Sequence, residues 1–408
     1  MKQFFRFAPL VILVLSCTTT NPLQQLKNDV AFLASDDLEG RKTGTQSEIE
    51  AAKYIASRFD EIGLKPKGTE GYLQAFRFKP SKDPHTEALF SSTDQEGYIT
   101  GLNVIGFQNN NAETTVVIGA HYDHLGYGGD GSLYRDSLPA IHNGADDNAS
   151  GVATLLSLAS NGNNLGRQNN YLFIAFSGEE MGLLGSNYFV KNSTIESASI
   201  NFMINMDMVG RLNEENALAV YGVGTSPIFN QVLNANNSIF KLVLNESGIG
   251  PSDHTSFYLN DIPVLHFFTG QHEDYHKPSD DAETLNYEGM LSLSDYLIKV
   301  INALDLNGKL AFRATKNESE ETPRFTVGLG VVPDYLYDGE GMRIDGVSEG
   351  KIAQKVGLKK GDIVIELGTS KITTLMEYMK ALSSYKTGDQ TTVSIMRDGV
   401  SLNFEITF

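Results

Sequence analysis

The stretch that decides the fold is TVVIGAHYDH, which begins at Thr115 and ends at His124. It opens with a short apolar run, and a continuous run of this kind is typical of a strand buried on both faces of a sheet. His121, Asp123 and His124 follow where the strand should end. In open α/β sheets, sites form outside the carboxyl ends of the strands, so this stretch predicts a buried strand that carries chemistry at its end.

Similar patterns fill the first three quarters of the chain. Further apolar runs are predicted as strands at residues 171–176, 200–206 and 262–268. Helical patterns are predicted at residues 22–34, from the capping box at Thr45 to Gly63, and at 151–160, 181–191 and 287–304. The alternation of strands and helices predicts an α/β fold with a mostly parallel central sheet flanked by helices.

Acidic side chains and a further histidine follow the other predicted strands or open the helices between them. They are Asp146-Asp147, Glu179-Glu180, Asp207 and Asp274-Tyr275-His276. Each alone has an ordinary explanation, because carboxylates cap helices and solvate first turns. Packed together without a cation, they would repel one another and raise each other's pKa. These motifs contain no Lys or Arg, so we predict a divalent metal among them.

The donor types indicate which metal this is. Histidine and carboxylate without cysteine are typical ligands of catalytic zinc. Two histidines and three or more carboxylates exceed what one open zinc site requires, whereas a pair of ions bridged by a carboxylate uses them all. Two adjacent glutamates are not expected to point at one ion. One of Glu179 and Glu180 can therefore bind metal while the other faces the activated water as a general base.

Over residues 36–304 the chain resembles the bacterial leucyl aminopeptidase and aminopeptidase Y family of co-catalytic zinc exopeptidases. The motifs that carry the resemblance are Glu39-Gly40-Arg41 with Gly44-Thr45, His121-x-Asp123-His124, residues 144–151, Glu179-Glu180, Asp207, Ser252-Asp253-His254 and Tyr275-His276. The resemblance implies the zinc exopeptidase fold and two zinc ions per chain. It implies that Asp147 bridges both ions, that His121 and Asp207 complete one, and that Glu180 and His276 complete the other.

The same resemblance implies that Glu179 is the general base. It also implies that Asp123 orients a ligating imidazole, which is a usual arrangement at metal sites. The residues expected to support the ligands or to contact substrate are Asp123, Asp253, His254 and Tyr275. In this family the peptide bond corresponding to Asp147-Asn148 tends to be cis, and we expect the same here.

The remaining histidines receive weaker assignments. We expect His124 and His142 to act behind the ligands or on substrate, because they lie close to the motifs. His266 lies inside an apolar run and is expected to be a satisfied core residue. Neither His85 nor His272 carries a signal, and Asp146 is interpreted as structural.

The last part of the chain forms a different unit. Residues 307–323 are polar and are interpreted as a linker, after a peptidase-like unit at residues 22–306. Residues 324–408 resemble a PDZ domain, on the motifs at 327–330 and 357–364 and on a terminal hairpin with an Asp-Gly turn. The resemblance implies a peptide C-terminus on a sheet edge, with its carboxylate held by the loop of Gly328, Leu329 and Gly330. The alternative is a domain that only packs on the first unit or mediates dimerisation.

The N-terminus predicts export. Residues 1–17 combine Lys2 and Arg6, an apolar run at residues 8–15 and Cys17, the only cysteine. They resemble a bacterial lipoprotein signal, and the apolar run is too short to span a bilayer. We expect lipid anchoring at a bacterial membrane, facing the periplasm or the cell exterior. The alternative is an ordinary signal peptide that happens to contain a cysteine.

Composition limits the partners. The chain has 50 acidic and 32 basic residues, for a net charge of −18, which disfavours nucleic-acid binding. Peptides are the expected substrates. Three alternatives stay open: a glutaminyl cyclase, a carboxypeptidase of the same fold, and a metal-free protein that captures peptides. Glutaminyl cyclases use tryptophan in the pocket, and this chain has none.

Overall fold

The computed structural model describes residues 21–80, 89–129, 131–316, 326–337, 339–348 and 350–408. The predicted signal peptide at 1–17 and part of the predicted linker, from residue 317 onward, lie outside the described residues. Across the described ranges, no helix is long and apolar enough to cross a membrane.

The first unit alternates helices and strands. Its helices are α1 (Pro22–Leu33), α2 (Gln46–Ile62), α3 (Gly151–Ser160), α4 (Leu184–Lys191), α5 (Phe229–Asn236), α6 (His254–Tyr258) and α7 (Tyr287–Asp305). Its strands are β1 (Lys65–Pro66), β2 (Leu73–Lys79), β3 (Leu89–Ser91), β4 (Ile99–Gln108), β5 (Thr114–His121), β6 (Asn169–Phe176), β7 (Ile200–Met206), β8 (Ala217–Tyr221), β9 (Lys241–Leu244) and β10 (Val264–Phe268).

These strands form one sheet in the order β3-β2-β4-β6-β5-β7-β10-β8-β9, with β1 paired to β4. Strands β6, β5, β7 and β10 run parallel, and they are the four strands predicted from the apolar runs. Strands β2, β4 and β8 pair antiparallel around them. The predicted fold class, a mostly parallel central sheet with helices, is therefore confirmed. The register aligns His121 with Phe176, so neighbouring strands end at one edge.

Burial explains why the central strands are continuously apolar. Every residue of β6 and β7 is buried. One face packs against α1, α2, α3 and α7 in the main hydrophobic core. The other face packs against Phe189 of α4 and Phe257 of α6. Both faces of the central sheet are thus removed from water, as parallel sheets require.

Several predicted boundaries shift by one to three residues, and two of the larger shifts concern α4 and β10. The helix predicted from residue 181 begins at Leu184, because Gly182 and Leu183 take positive φ values of 107° and 58° that a helix does not tolerate. The strand predicted from residue 262 begins at Val264. The capping residue of α2 behaves as predicted, since the Thr45 side chain accepts a hydrogen bond from the Glu48 amide.

The second unit has its own core and sheet. Its strands are β11 (Val331–Pro333), β12 (Met342–Val347), β13 (Ile363–Leu367), β14 (Ser370–Lys371), β15 (Gln390–Arg397) and β16 (Val400–Thr407), with helices α8 (Ile352–Val356) and α9 (Leu375–Leu382). The order is β11-β12-β13-β15-β16, and every pair is antiparallel. Asp398 and Gly399 both have positive φ in the last hairpin, as a type I′ turn requires.

Within the described residues, two stretches near the junction of the units pack on the first unit. Part of the predicted linker at 307–323 packs on the first unit, where Leu310 is buried and the Arg313 amide donates to the Thr225 carbonyl at 2.8 Å. Beyond β11, Leu336 is buried against small residues of β8. The Tyr335 ring lies 6.2 Å from that of Phe268, at the end of β10. The second unit therefore contacts the sheet of the first.

Candidate active site

The side chains predicted as ligands converge at the carboxyl edge of the parallel strands. His121 ends β5, and Asp207 follows β7 directly. Glu180 lies in the turn after β6, and Asp147 lies in the irregular turn before α3. His276 comes from the loop that follows β10. Five segments that are distant in sequence therefore meet at one place.

Asp147 lies at the centre and divides the site into two halves. Its Oδ1 atom is 3.3 Å from Nε2 of His121, and that nitrogen is also 3.3 Å from Oδ1 of Asp207. We call His121 and Asp207 the strand side. The Oδ2 atom of Asp147 is 3.1 Å from Nε2 of His276, and that nitrogen is also 3.4 Å from Oε2 of Glu180. We call Glu180 and His276 the loop side.

The charges around Asp147 favour its ionised form. Its side chain is only 5% exposed, and burial by itself raises a carboxyl pKa. The imidazoles of His121 and His276 oppose that effect and hold the pKa of Asp147 well below its usual range. A carboxylate with one oxygen directed to each half has the form of a bridging ligand.

The donor set fits divalent metal. Ligand atoms of His121, Asp147 and Asp207 lie within 4.8 Å of one another, as do those of His124, Asp147 and Glu180. Nitrogen and carboxylate oxygen without sulfur are typical of catalytic zinc. The strand side thus presents one group of donors to Asp147, and Glu180 of the loop side presents another together with His124.

His124 is closer to the loop side than we expected from sequence. Its Nδ1 atom is 2.8 Å from Oε1 of Glu180, and its ring centroid is 5.8 Å from that of His276. We predicted that it acts behind the ligands or on substrate, whereas the structure places it among the donors. Its position next to Asp123 in the same motif was the available signal.

Two charged side chains fix the turn that carries Asp147. The Asp280 carboxylate accepts the backbone N–H groups of Asp146 at 3.0 Å and of Asp147 at 3.1 Å. The guanidinium of Arg41 donates to the carbonyl of Gly144 at 2.7 Å. The Asp147-Asn148 peptide bond is cis, as predicted. Sequence reasoning missed Asp280, although it lies four residues after His276 in an acidic pair.

Arg41 is fully buried and crosslinks several segments. It donates to the carbonyls of Leu33 and Tyr122, at 2.8 Å and 2.7 Å, and also to that of Asn143. Burial lowers its pKa to about 10, while the charge of Asp147 opposes this change. It belongs to the Glu39-Gly40-Arg41 motif, but this role was not predicted from the sequence.

Asp123 links the strand side to the glutamate pair. Its Oδ1 atom accepts the Glu179 amide at 3.1 Å, and its Oδ2 atom accepts the Thr43 hydroxyl at 2.9 Å. His121 Nδ1 lies 3.2 Å from the backbone carbonyl of Asp123 and 3.7 Å from its Oδ1 atom. Burial, together with the charges of neighbouring carboxylates, raises the pKa of Glu179 well above its usual value.

Glu48 supports this arrangement from helix α2. Its carboxylate accepts the amide of Gly44 at 2.6 Å, the amide of Leu102 at 3.0 Å and the hydroxyl of Ser177 at 2.5 Å. Burial raises its pKa to about 7. We interpreted Glu48 as part of a capping box. In the structure it also joins three separate segments behind the site.

Two family models match the chain. The model of peptidase family M28 matches residues 103–301, and that of the PDZ domain matches residues 310–408. Residues 103–301 belong to peptidase family M28. The M28 unit thus contains the five residues predicted as metal ligands, whereas Arg41 and Glu48 lie outside the matched range.

Named relatives are similar over part of their length. Aminopeptidase YwaD of Bacillus subtilis is 27% identical over 256 residues, which are 59% of this chain and 50% of that protein. A probable leucine aminopeptidase of Trichophyton verrucosum is 26% identical over 225 residues, 51% of this chain and 57% of that protein. The chain therefore spans about half the length of the curated relatives it matches.

Solved structures share the fold. A zinc aminopeptidase from Bacillus subtilis superposes with a TM-score of 0.54 at 16% identity, over 71% of this chain and 95% of that one. The glutaminyl cyclase of Porphyromonas gingivalis superposes with a TM-score of 0.53 at 16% identity, over 69% and 98%. The fold of the M28 unit is thus common to hydrolases and cyclases.

The remaining predicted residues of the M28 unit are Asp253, His254 and Tyr275. Asp253 is fully buried, and burial raises its pKa to about 7. His254 stacks on His266, with ring centroids 4.4 Å apart and an interplanar angle of 3°. Tyr275 stacks on His276 at 3.8 Å.

His272 has a contact that the sequence did not indicate. Its Nε2 atom lies 3.1 Å from Oδ2 of Asp146. The Oδ1 atom of Asp146 accepts the Gly210 amide at 2.6 Å. Asp146, which we interpreted as structural, therefore ties the turn of Asp147 to the loops after β7 and β10.

Proposed function

We propose that this protein is a zinc-dependent exopeptidase, and specifically an aminopeptidase that releases N-terminal residues from peptides. The observation that carries the proposal is that the two oxygens of Asp147 face two separate groups of donors. We propose two zinc ions per chain. His121 and Asp207 would hold one, Glu180 and His276 would hold the other, and Asp147 would be shared by both.

Zinc bound there supplies Lewis-acid activation of the scissile carbonyl and of water. Glu179 is the general base in our proposal. It takes a proton from water as the oxygen adds to the carbonyl carbon, and it returns that proton to the leaving amine as the C–N bond breaks. Its amide is anchored on Asp123. A pKa raised by burial suits a carboxyl group that must both accept and release a proton.

Two observations favour hydrolysis over cyclisation. The chain has no tryptophan, which glutaminyl cyclases use in the pocket. Asp147 also has an imidazole next to each of its two oxygens, which suits two metal ions and not the single ion of a cyclase. Relatives named as aminopeptidases support release from the N-terminus over carboxypeptidase action. The carboxypeptidase alternative would need a cation for the substrate carboxylate.

We also propose a peptide partner for the PDZ domain. Gly328, Leu329 and Gly330 precede β11, which lies at the end of the strand order of its sheet. A peptide C-terminus bound there would add a strand to β11. A C-terminally amidated peptide should bind more weakly than the free acid in a titration.

The location is proposed from the N-terminal residues alone. Export and lipid attachment at Cys17 would place the protein at a bacterial membrane. Replacing Cys17 by Ser should abolish incorporation of labelled fatty acid and release the protein into the soluble fraction.

The base is tested by Glu179→Gln. We expect kcat to fall by roughly 10²- to 10⁴-fold while both zinc ions stay bound, because the change removes the proton acceptor and leaves the ligands. The matched control is Glu214→Gln, an exposed glutamate, which should leave kcat unchanged. Near-normal turnover by Glu179→Gln would show that the base is another group.

The substrate class is tested with paired peptides. A free-amine peptide should be cleaved from its N-terminus, its N-acetylated counterpart should not be cleaved, and a chelator should stop the reaction. Cleavage of the acetylated peptide would reject the aminopeptidase assignment. Ring closure of an N-terminal glutamine without cleavage would favour the cyclase.

A further inference from the structure

His276 is held by a short loop segment from elsewhere in the chain. Its Nδ1–H group donates to the carbonyl of Gly131 at 2.7 Å, and its own carbonyl accepts the amide of Leu133 at 3.0 Å. With Nδ1 occupied as a donor, Nε2 carries the lone pair and faces Asp147 and Glu180. We call these two hydrogen bonds, to Gly131 and from Leu133, the clasp. The clasp sets both the tautomer and the orientation of the His276 imidazole.

His276 needs such support because nothing in the sheet places it. It lies in a loop and has a φ of 53°, in the left-handed region that non-glycine residues seldom adopt. His121, in contrast, ends a strand that is paired on both sides. The orientation of the His276 imidazole thus depends on the contacts that hold residues 131–133 in position.

Ser132 lies between the two residues of the clasp, and its side chain is anchored. Its hydroxyl is 2.7 Å from Nε2 of His142, while Nδ1 of His142 is 2.9 Å from the carbonyl of Ala140. Nδ1 must donate to that carbonyl, so Nε2 is the acceptor and the Ser132 hydroxyl donates to it. Ser132 is 7% exposed and His142 is 1% exposed.

Backbone contacts also hold Ser132 and His142 in place. The Ser132 hydroxyl oxygen also accepts the amide of Tyr134 at 3.0 Å, and the His142 amide donates to the carbonyl of Gly126 at 2.8 Å. Burial lowers the pKa of His142, which favours the neutral form that can accept a hydrogen bond. A buried Ser–His pair therefore closes the loop that carries the clasp.

We propose that Ser132 and His142 are positioning residues for His276, and that they set the zinc affinity of the loop side without touching metal or substrate. This inference rests on the proposed zinc function. It identifies the ligand that His142 supports, where the sequence predicted only a role behind the ligands or on substrate, and it assigns a role to Ser132, which the sequence did not single out.

The test measures zinc itself. Ser132→Ala and His142→Leu each remove the anchoring bond, and we expect one zinc ion to bind about 10- to 100-fold more weakly while the other is unaffected. His142→Gln keeps an acceptor of similar reach and should restore most of the affinity. Ser137→Ala, an exposed serine in the same loop, is the matched control and should behave like the wild type. Zinc is counted after dialysis and titrated against a chelator, with kcat and KM measured in parallel.

The outcomes separate the two proposals. If Ser132→Ala and His142→Leu hold both zinc ions with wild-type affinity, or weaken both equally, the positioning role is wrong. A lowered melting temperature without selective loss of one ion also rejects it. If His142→Leu fails to fold, the comparison of Ser132→Ala with Ser137→Ala decides. A wild-type protein that binds two zinc ions but cleaves no peptide would overturn only the proposed activity, since the zinc titrations still report on the clasp.

Discussion

The two sides of Asp147 are built in different ways. The strand side is fixed by the sheet: His121 is in β5, paired on both edges, and the Asp207 amide donates to the carbonyl of Phe267 at 3.2 Å. The loop side depends on turns: Glu180 lies between β6 and α4, and His276 is held by the clasp. The register of a buried sheet tolerates little movement, whereas loop hydrogen bonds can open singly.

This difference predicts unequal metal sites. Ligands fixed by the sheet need little reordering when an ion binds, so the strand side should hold its zinc more tightly. The loop side should be the first to lose metal and the side on which exchange occurs.

The largest effect is expected for Asp147→Ala, which removes the carboxylate common to both sides. Both zinc affinities should fall together and peptidase activity should be lost, because the two ions share this ligand. Zinc content is measured by elemental analysis after dialysis. Retention of two tightly bound ions would show that Asp147 does not bridge them.

Removing one imidazole at a time should affect the sides separately. His276→Ala should keep one zinc ion that resists chelator, whereas His121→Ala should leave one that is removed readily. In the wild-type protein, stepwise chelation should show two phases. Equal chelation rates in the two variants would mean that the sheet gives the strand side no advantage.

A smaller effect is expected behind the strand side. Asp123→Asn should disturb both the contact with His121 and the acceptor of the Glu179 amide. We expect a loss of about 10- to 100-fold in strand-side zinc affinity or in activity. A titration with chelator, compared with the Ser132→Ala protein, tests whether each change weakens a different ion.

The smallest effect is expected for a change of one pH unit. Burial lowers the pKa of His276, but the carboxylates of Glu180 and Asp147 outweigh it and raise the pKa to about 9. Protonated imidazole cannot bind zinc, so uptake on the loop side releases a proton below that pH. The zinc affinity of the loop side should therefore rise about tenfold per pH unit and level off above pH 9. The His121→Ala protein isolates the loop side for this measurement, and a flat profile would contradict it.

The central parallel strands were predictable from the sequence, whereas the short antiparallel strands were not. Continuous apolar runs identified β5, β6, β7 and β10, since parallel strands buried on both faces have a strong signal. His121 and Asp207 follow such runs at once, so their meeting at one edge was predictable. The short antiparallel strands β1 and β3, in contrast, carry too few residues for a pattern.

Residues that act through distant partners were not predictable from local patterns. Arg41, Glu48 and Asp280 bind backbone groups of segments that the fold brings to them. The His272 side chain contacts Asp146, which is 126 residues earlier in the chain, and the Ser132 side chain contacts His142 within the same loop. Such bonds depend on tertiary structure, so spacing along the chain says nothing about them.

Arg41 also shows that the site depends on residues ahead of the region matched to the M28 family. Its guanidinium satisfies buried carbonyls of Leu33, Tyr122, Asn143 and Gly144, although it precedes the region matched to the M28 family. A fragment trimmed to residues 103–301 would leave a void lined by acceptors, each costing about 1–3 kcal/mol when unsatisfied. A boundary chosen from the family match alone would therefore remove Arg41, on which the buried carbonyls behind the site depend.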